Sequence, residues 1–169
     1  TFAVTFSEAV YTTTDGSSAL VAGDFAFSLS GGTATLSSAT PSSISISSNV
    51  YTLGIPLSGT PDGSETLTIN PASATAIYNF GNNAVAASQS NNTVTLNDQT
   101  DPSVSSVTSS TTDGTYKAED LIAITVTFPE AVTVTGTPQL TLETGDSDAV
   151  VDYSSGSGGA TLTFNYTIA

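Results

Sequence analysis

The chain has 169 residues, of which 15 are acidic and one, Lys117, is basic, so the net charge is −14. It contains no His, Cys, Trp, Met or Arg, whereas 30 Thr and 26 Ser make up a third of the residues. This composition excludes Cys or His nucleophiles, Ser-His-Asp triads and the usual ligand sets of zinc, copper, haem and iron–sulfur centres, and so acidic a surface would repel nucleic acid.

Apolar residues alternate with Thr and Ser along most of the chain, which is the period of a half-buried β-strand. In chain order the alternating sets are Phe2-Val4-Phe6, Phe25-Phe27-Leu29, Ile44-Ile46, Tyr51-Leu53-Ile55-Leu57, Leu67-Ile69, Val94-Leu96, Ile122-Ile124-Val126-Phe128, Leu140-Leu142, Val151-Tyr153 and Leu162-Phe164-Tyr166-Ile168. Gly, Pro, Asn and Asp turn signals separate these sets about every 8–12 residues. The pattern predicts an all-β fold of antiparallel Greek-key β-sandwiches. No apolar run approaches the ~18 residues of a membrane span, so no membrane insertion is expected.

One heptapeptide occurs twice. Residues 4–10 read Val-Thr-Phe-Ser-Glu-Ala-Val, and residues 126–132 repeat them with Pro in place of Ser. Six of seven positions match at a separation of 122 residues, and each copy follows an alternating apolar run. We interpret the repeat as a tandem array of related domains.

A domain boundary follows from the second copy. Residues 98–102 form a short polar segment that ends in Pro102, which we interpret as a linker. The predicted domains are therefore a first sandwich over residues 1–97 and a second over residues 103–169. Counting from the linker to the second heptapeptide predicts that about 20 residues, including an N-terminal strand, are missing ahead of Thr1. The second domain is shorter than the ~100 residues of a complete sandwich, so its C-terminal part is also expected to be missing.

Several segments resemble the tandem immunoglobulin-like repeats of very large bacterial cell-surface proteins, such as adhesins and the surface filaments of gliding motility. Besides the two heptapeptides, the segments that carry the resemblance are residues 90–102 (SNNTVTLNDQTDP), 112–120 (TDGTYKAED) and 135–145 (TGTPQLTLETG). The resemblance implies an extracellular, surface-located sandwich that spaces or builds an adhesin, stalk or filament and whose partners are neighbouring repeats and cell-surface or glycan receptors.

The resemblance also implies calcium at the joints between domains. Oxygen ligands are the only metal chemistry that this composition supports well, and calcium takes six to eight of them. Matched position by position, the implied ligands are Asp98, Asp101, Asp113, Asp120, Glu130 and Glu8. Strand-end loops cluster at the ends of a sandwich, so we expect several of these carboxylates to converge. The alternative is that they are scattered turn formers and solvated charges.

Two positions depart from the family pattern. Glu119 stands where the pattern has Gly. In residues 77–83 (IYNFGNN), Asn79 stands where the family commonly has Asp, and the neutral amide is a weaker calcium ligand. This substitution weakens the case for a calcium site at that loop.

Other functions remain open at this point. A carbohydrate-binding module could use Tyr11, Tyr78 and Tyr116, which lie near turns, although packing in the sandwich is the simpler role for them. Catalysis would have to rest on carboxylates alone, and nothing places two of them in a cleft, so we do not expect an enzyme. If the strands at the chain ends leave open sheet edges, the chain is a fibre subunit that polymerises by strand complementation.

Overall fold

The computed structural model describes all of residues 1–169 and contains fifteen β-strands and one short 3₁₀ helix, Ala22–Asp24. The predicted all-β class is thereby confirmed. The chain divides into two compact units, residues 1–100 (unit 1) and residues 101–169 (unit 2), so the division falls within the polar segment 98–102. No helix has the length and apolar character needed to cross a membrane.

Unit 1 is built from ten strands, most of them short because Gly, Pro and Ser interrupt the alternation. They are β1 (Phe2–Thr5), β2 (Val10–Tyr11), β3 (Phe25–Ser30), β4 (Thr35–Leu36), β5 (Ile44–Ser47), β6 (Val50–Leu53), β7 (Leu57–Ser58), β8 (Thr66–Pro71), β9 (Tyr78–Asn79) and β10 (Thr93–Thr95). Two three-stranded antiparallel sheets have the orders β1-β6-β5 and β10-β8-β3, and two ribbons, β2-β9 and β4-β7, complete the unit.

The two larger sheets of unit 1 share one hydrophobic core. Their registers place alternate apolar residues on the same face, with Val4 opposite Tyr51 in one sheet and Phe27 opposite Ile69 in the other. Phe25 of β3 and Tyr51 of β6 lie 6.3 Å apart between ring centroids, so the sheets face each other. The core side chains are mostly buried because every second residue points inward.

Unit 2 contains one five-stranded antiparallel sheet. Its strands are β11 (Ser106–Ser109), β12 (Leu121–Val132), β13 (Gln139–Leu142), β14 (Ala149–Ser155) and β15 (Gly159–Thr167), and they lie in the order β11-β12-β15-β14-β13. The pairing of β12 with β15 is irregular between Thr127 and Val132. Pro129 lies in this interval, where it has no N–H to donate to the ladder.

The core of unit 2 lies on one face of this sheet. Val126, Val151, Leu162 and Phe164 are buried there, and Tyr153 meets Phe164 edge to face with ring centroids 6.1 Å apart. Unit 2 has no second sheet opposite this face. The sandwich predicted for residues 103–169 is thus represented by a single sheet, because these residues supply only five strands.

Candidate functional site

A concave feature of unit 1 runs along β1. This strand is the outer strand of its sheet: it pairs with β6, and no strand pairs with its other edge. The groove has a volume of about 630 Å³. Residues 2–8 and Val10 line one side, and residues 69–71 together with several residues between 77 and 92 line the other. Its volume falls within the range of about 300–1,000 Å³ that is typical of binding pockets.

The groove combines apolar and amide side chains. Core residues Phe25, Ile69 and Ile77 contribute apolar surface. The polar lining is dominated by amides, namely Asn70, Asn79, Asn83, Gln89, Asn91 and Asn92. An amide side chain both donates and accepts hydrogen bonds, so this lining suits neutral polar ligands such as a peptide backbone or a sugar.

Two of these amides tie β10 to β8. Asn92 donates from Nδ2 to Oδ1 of Asn70 at 2.7 Å and to the carbonyl of Ile69 at 3.0 Å. The backbone N–H of Ile69 in turn donates to the Asn92 carbonyl at 2.8 Å. This wall of the groove is therefore held in place by side-chain and backbone contacts together.

Asn79 organises the loop at the end of the groove where Glu8 lies. Its Oδ1 accepts hydrogen bonds from the backbone N–H groups of Gly81, at 3.0 Å, and Asn83, at 2.9 Å. Its Nδ2 donates to Oε1 of Glu8 at 3.2 Å. An Asp at this position would face the Glu8 carboxylate with a second negative charge, whereas the amide gives Glu8 a neutral donor.

The predicted calcium ligands of unit 1 have separate surroundings. Glu8 lies in the groove and contacts Asn79. Asp98 accepts hydrogen bonds from the backbone N–H and the hydroxyl of Thr100, at 2.8 and 2.6 Å, and lies beside Gly63. The structure thus assigns these two acids to different loops.

The predicted calcium ligands of unit 2 also lie in different parts of the unit. Asp120 immediately precedes β12 and accepts a hydrogen bond from the backbone N–H of Lys117 at 2.9 Å, whereas Glu130 lies near the opposite end of the same strand. The residues between them would span on the order of 30 Å in a straight strand. Asp101 and Asp113 lie exposed outside the strands. The molecule contains no group of three or more Asp or Glu side chains placed to hold a metal ion, and calcium binding stays a prediction.

A buried carboxylate, Glu65, was not among the predicted sites. Its side chain is fully inaccessible to solvent, and Oε1 accepts hydrogen bonds from the backbone N–H groups of Thr33, at 2.9 Å, and Ala34, at 2.8 Å. Oε2 accepts from the N–H of Asp62 at 3.0 Å. Burial alone would raise the pKa of the Glu65 carboxyl, but the hydrogen bonds from Ala34, Asp62 and Thr33 outweigh it and hold the pKa below its ordinary value.

The geometry around Glu65 gives it an architectural role. Gly31 and Gly32 both have positive φ, and a side chain at Gly32 would overlap the Glu65 carboxylate. The turn therefore needs glycine for its conformation and for its close approach to the carboxylate. Glu65 joins this turn to the turn at Asp62, so we assign it to the loop framework and not to chemistry.

The tyrosines proposed for sugar contact are partly accessible, and an aromatic residue beside them is more exposed. Tyr11 and Tyr78 face each other across the β2-β9 ribbon, and Tyr116 donates a hydrogen bond from its hydroxyl to the Thr112 carbonyl. Phe80 is 74% exposed. Its ring covers Gly16, which also lies close to the Tyr11 ring. In the sequence, Phe80 could have been recognised as an exposed aromatic residue by its position in a turn, outside the alternating apolar runs.

Comparisons of the chain with models of protein families, with curated proteins and with solved structures find no match.

Proposed function

We propose that the chain is a structural repeat module of an extracellular bacterial adhesin, stalk or filament, whose function is to space or build rather than to catalyse. The observation that carries the proposal is the position of the repeated heptapeptide. In unit 1 it begins in β1, where Val4 lies opposite Tyr51 of β6. In unit 2 it ends β12, where Val126 lies opposite Leu162 of β15. The first two residues of the heptapeptide therefore lie in an antiparallel strand pair in both units, whereas the later residues lie in β12 in unit 2 and in a loop and β2 in unit 1. The shared pairing of the first two residues supports repeated modules.

Strand order supports the immunoglobulin-like part of the proposal. An immunoglobulin constant domain has one sheet of strands A, B, E and D and another of C, F and G. When the four short strands of the two ribbons are left out and the remaining six strands of unit 1 are named B to G in sequence order, the sheets β1-β6-β5 and β3-β8-β10 have the orders B-E-D and C-F-G. In unit 2, β12-β15-β14 has the order B-E-D as well, and β14 and β15 are consecutive strands as D and E must be. Unit 2 departs from the immunoglobulin order at β13, which would be strand C but pairs with β14 in the same sheet.

The surface composition is consistent with a spacer outside the cell. Outward positions of the strands are mainly Ser and Thr, for example Ser28 and Thr68, which pair across β3 and β8. The excess of 14 negative charges keeps neighbouring molecules apart at low salt. Calcium, predicted at Asp98, Asp101, Asp113, Asp120, Glu130 and Glu8, is part of this proposal as the ion that would offset the charge.

Surface labelling of the source cells tests the proposed location. Antibodies raised against the 169-residue chain should label intact cells as strongly as permeabilised ones, and mild protease treatment of intact cells should remove the label. Antibodies to a ribosomal protein, which should label permeabilised cells alone, are the control. Labelling that requires permeabilisation would contradict the proposal.

A second candidate function is carbohydrate binding, which the exposed Phe80 favours because sugar rings stack on accessible aromatic faces. A glycan array should then show hits that Phe80→Ala removes. The matched control is Val21→Ala, because Val21 is also exposed, at 57%, and is not aromatic. An array without hits, or hits that survive Phe80→Ala, would count against sugar binding at this site.

A further inference from the structure

An exposed aromatic ring lies where two loops of unit 1 meet. Phe80 is 74% exposed, more than any other large apolar side chain of the molecule. It directly follows β9, whereas the second loop, residues 12–18, follows β2, the partner of β9. A methyl group on Gly16 would lie 2.7 Å from Cδ2 and 3.2 Å from Cε2 of Phe80, so one edge of the ring rests against the backbone of this second loop. The rest of the ring is open to solvent.

Both loops are ordered by their own hydrogen bonds. The backbone N–H of Gly16 donates to the carbonyl of Thr13 at 3.2 Å. Gly16 has a φ of 72°, which glycine adopts without strain, and its lack of a side chain leaves room for the ring. The other loop is fixed by Asn79, which accepts hydrogen bonds from two backbone N–H groups. Phe80 is therefore held in place before a ligand arrives, so binding costs less conformational entropy.

A carboxylate neighbours Gly16 in the chain. Oδ1 of Asp15 accepts hydrogen bonds from the backbone N–H and the hydroxyl of Ser17, at 3.0 and 2.7 Å. The hydroxyls of Ser17 and Thr13, together with the N–H of Ser17, lower the pKa of Asp15 to about 2, so its carboxylate is ionised at neutral pH. An ionised carboxylate is a strong acceptor for the hydroxyl groups of a sugar and repels a ligand of its own charge.

We propose that Phe80 and Asp15 form a binding site for one neutral pyranose ring of a glycan. The proposal rests on the carbohydrate binding named above as the second candidate function, and it adds the site and the class of ligand. The apolar C–H face of the pyranose stacks on the exposed ring of Phe80, and a hydroxyl of the same sugar donates to the Asp15 carboxylate. Asp15 and the net charge of −14 disfavour sugars that carry carboxylate, sulfate or phosphate groups. Gly16 is a positioning residue, because its backbone seats the aromatic ring.

A titration of the full 169-residue chain, followed by nuclear magnetic resonance, tests the class of ligand. The probes are the methyl glycosides of glucose, galactose and mannose and, as their acidic counterparts, the methyl glycosides of the matching uronic acids. We expect at least one neutral probe to shift the ring resonances of Phe80 and the amide resonance of Gly16 in a saturable way. Its uronic acid counterpart should bind about tenfold more weakly. No saturable shift with any neutral probe at high millimolar concentration would overturn the proposal.

Variants of the chain test the location and the role of Gly16. Phe80→Ala should abolish the saturable shift at Gly16, whereas Phe80→Trp should retain it, because a larger aromatic ring still offers a face to the sugar. Gly16→Ala should displace the ring and weaken binding. Gly59→Ala is the matched control, since Gly59 also has a positive φ, at 85°, but a methyl group there would meet no atom closer than 3.6 Å. Equal weakening by the two glycine variants would show that lost stability, not displacement of Phe80, is responsible, and would overturn the positioning role.

The outcomes separate this site from the broader proposals. Binding of neutral probes that survives Phe80→Ala would leave carbohydrate binding standing and overturn the site proposed here. Equal or tighter binding of the uronic acid probes would overturn the class of ligand. The surface labelling that tests the spacer function depends on none of these results.

Discussion

Glu65 shows how a single residue fixes the loops of unit 1. It is the one charged side chain that the fold buries completely, and no buried side-chain polar atom in the molecule lacks a hydrogen-bond partner. A Gln in its place keeps the shape but turns an amide donor toward backbone N–H donors. We therefore expect Glu65→Gln to lower the unfolding free energy at pH 7, measured by urea unfolding.

The same variant has a defined pH dependence. Because the folded pKa of Glu65 lies below its ordinary value of 4.5, the stabilisation is fully present above pH 4.5 and is lost as the pH falls through the lowered folded pKa. The stability difference between the parent chain and Glu65→Gln should therefore shrink on acidification below pH 4.5. A difference that stays constant down to pH 3 would contradict this assignment.

Glu119 is one of the two residues at which the chain departs from the family pattern, and its backbone has a φ of 73°, in the left-handed region. Glycine adopts this region without the steric cost that a side chain brings. Glu119→Gly should therefore raise the unfolding free energy by about 1 kcal/mol. Glu119→Gln is the matched control, since it removes the charge but keeps the side chain. Equal stabilisation by both variants would show that charge, not backbone conformation, is responsible.

At the scale of elements, β6 is the central strand of its sheet and its inward residues carry the packing. Leu53 is fully buried and lies opposite Phe2 and Ile44, whereas Leu57 of β7 is 36% exposed. Leu53→Ala should cost about 2–5 kcal/mol of unfolding free energy in denaturant titrations, through lost burial and an unfilled cavity. Leu57→Ala should cost clearly less. Similar costs for the two variants would argue against the packing described for β6.

Alternation predicted the long strands well, because period-2 burial is a local property of the sequence. Phe25, Phe27 and Leu29 lie on the inward face of β3 as expected. The predicted set from Tyr51 to Leu57 divides into β6 and β7 instead. Pro56 has no N–H for a ladder, and its carbonyl accepts from Ser37 at 2.8 Å, so the chain changes partner at this point.

The candidate sites were harder to predict, because their contacts join distant parts of the chain. The backbone N–H groups of Thr33 and Ala34, which donate hydrogen bonds to the Glu65 carboxylate, lie more than 30 residues away from it in sequence. Nothing next to Glu65 in the sequence distinguishes it from an exposed acid. Glu8 was predicted as a calcium ligand, and its contact with Asn79 depends on the pairing of β2 with β9.

At the scale of the whole molecule, calcium is the prediction that most affects rigidity. If it binds, calcium should raise the unfolding temperature of the full chain, and a chelator should reverse the rise. The combined change Asp98→Asn and Asp101→Asn should reduce the calcium response, whereas Asp148→Asn, a change at another exposed acid, should not. An unfolding temperature that is the same in calcium and in chelator would contradict calcium binding.

The central claim is that the molecule consists of separate folded modules that space or build a larger assembly, and single-molecule stretching of the full chain between marker domains tests its modular organisation most directly. We expect two separate unfolding steps, because the chain forms two compact units of residues 1–100 and 101–169. Their gains in contour length should approach roughly 350 and 240 Å, less the folded end-to-end distances. Extension without steps, at the force that stretches an unstructured chain, would contradict the claim.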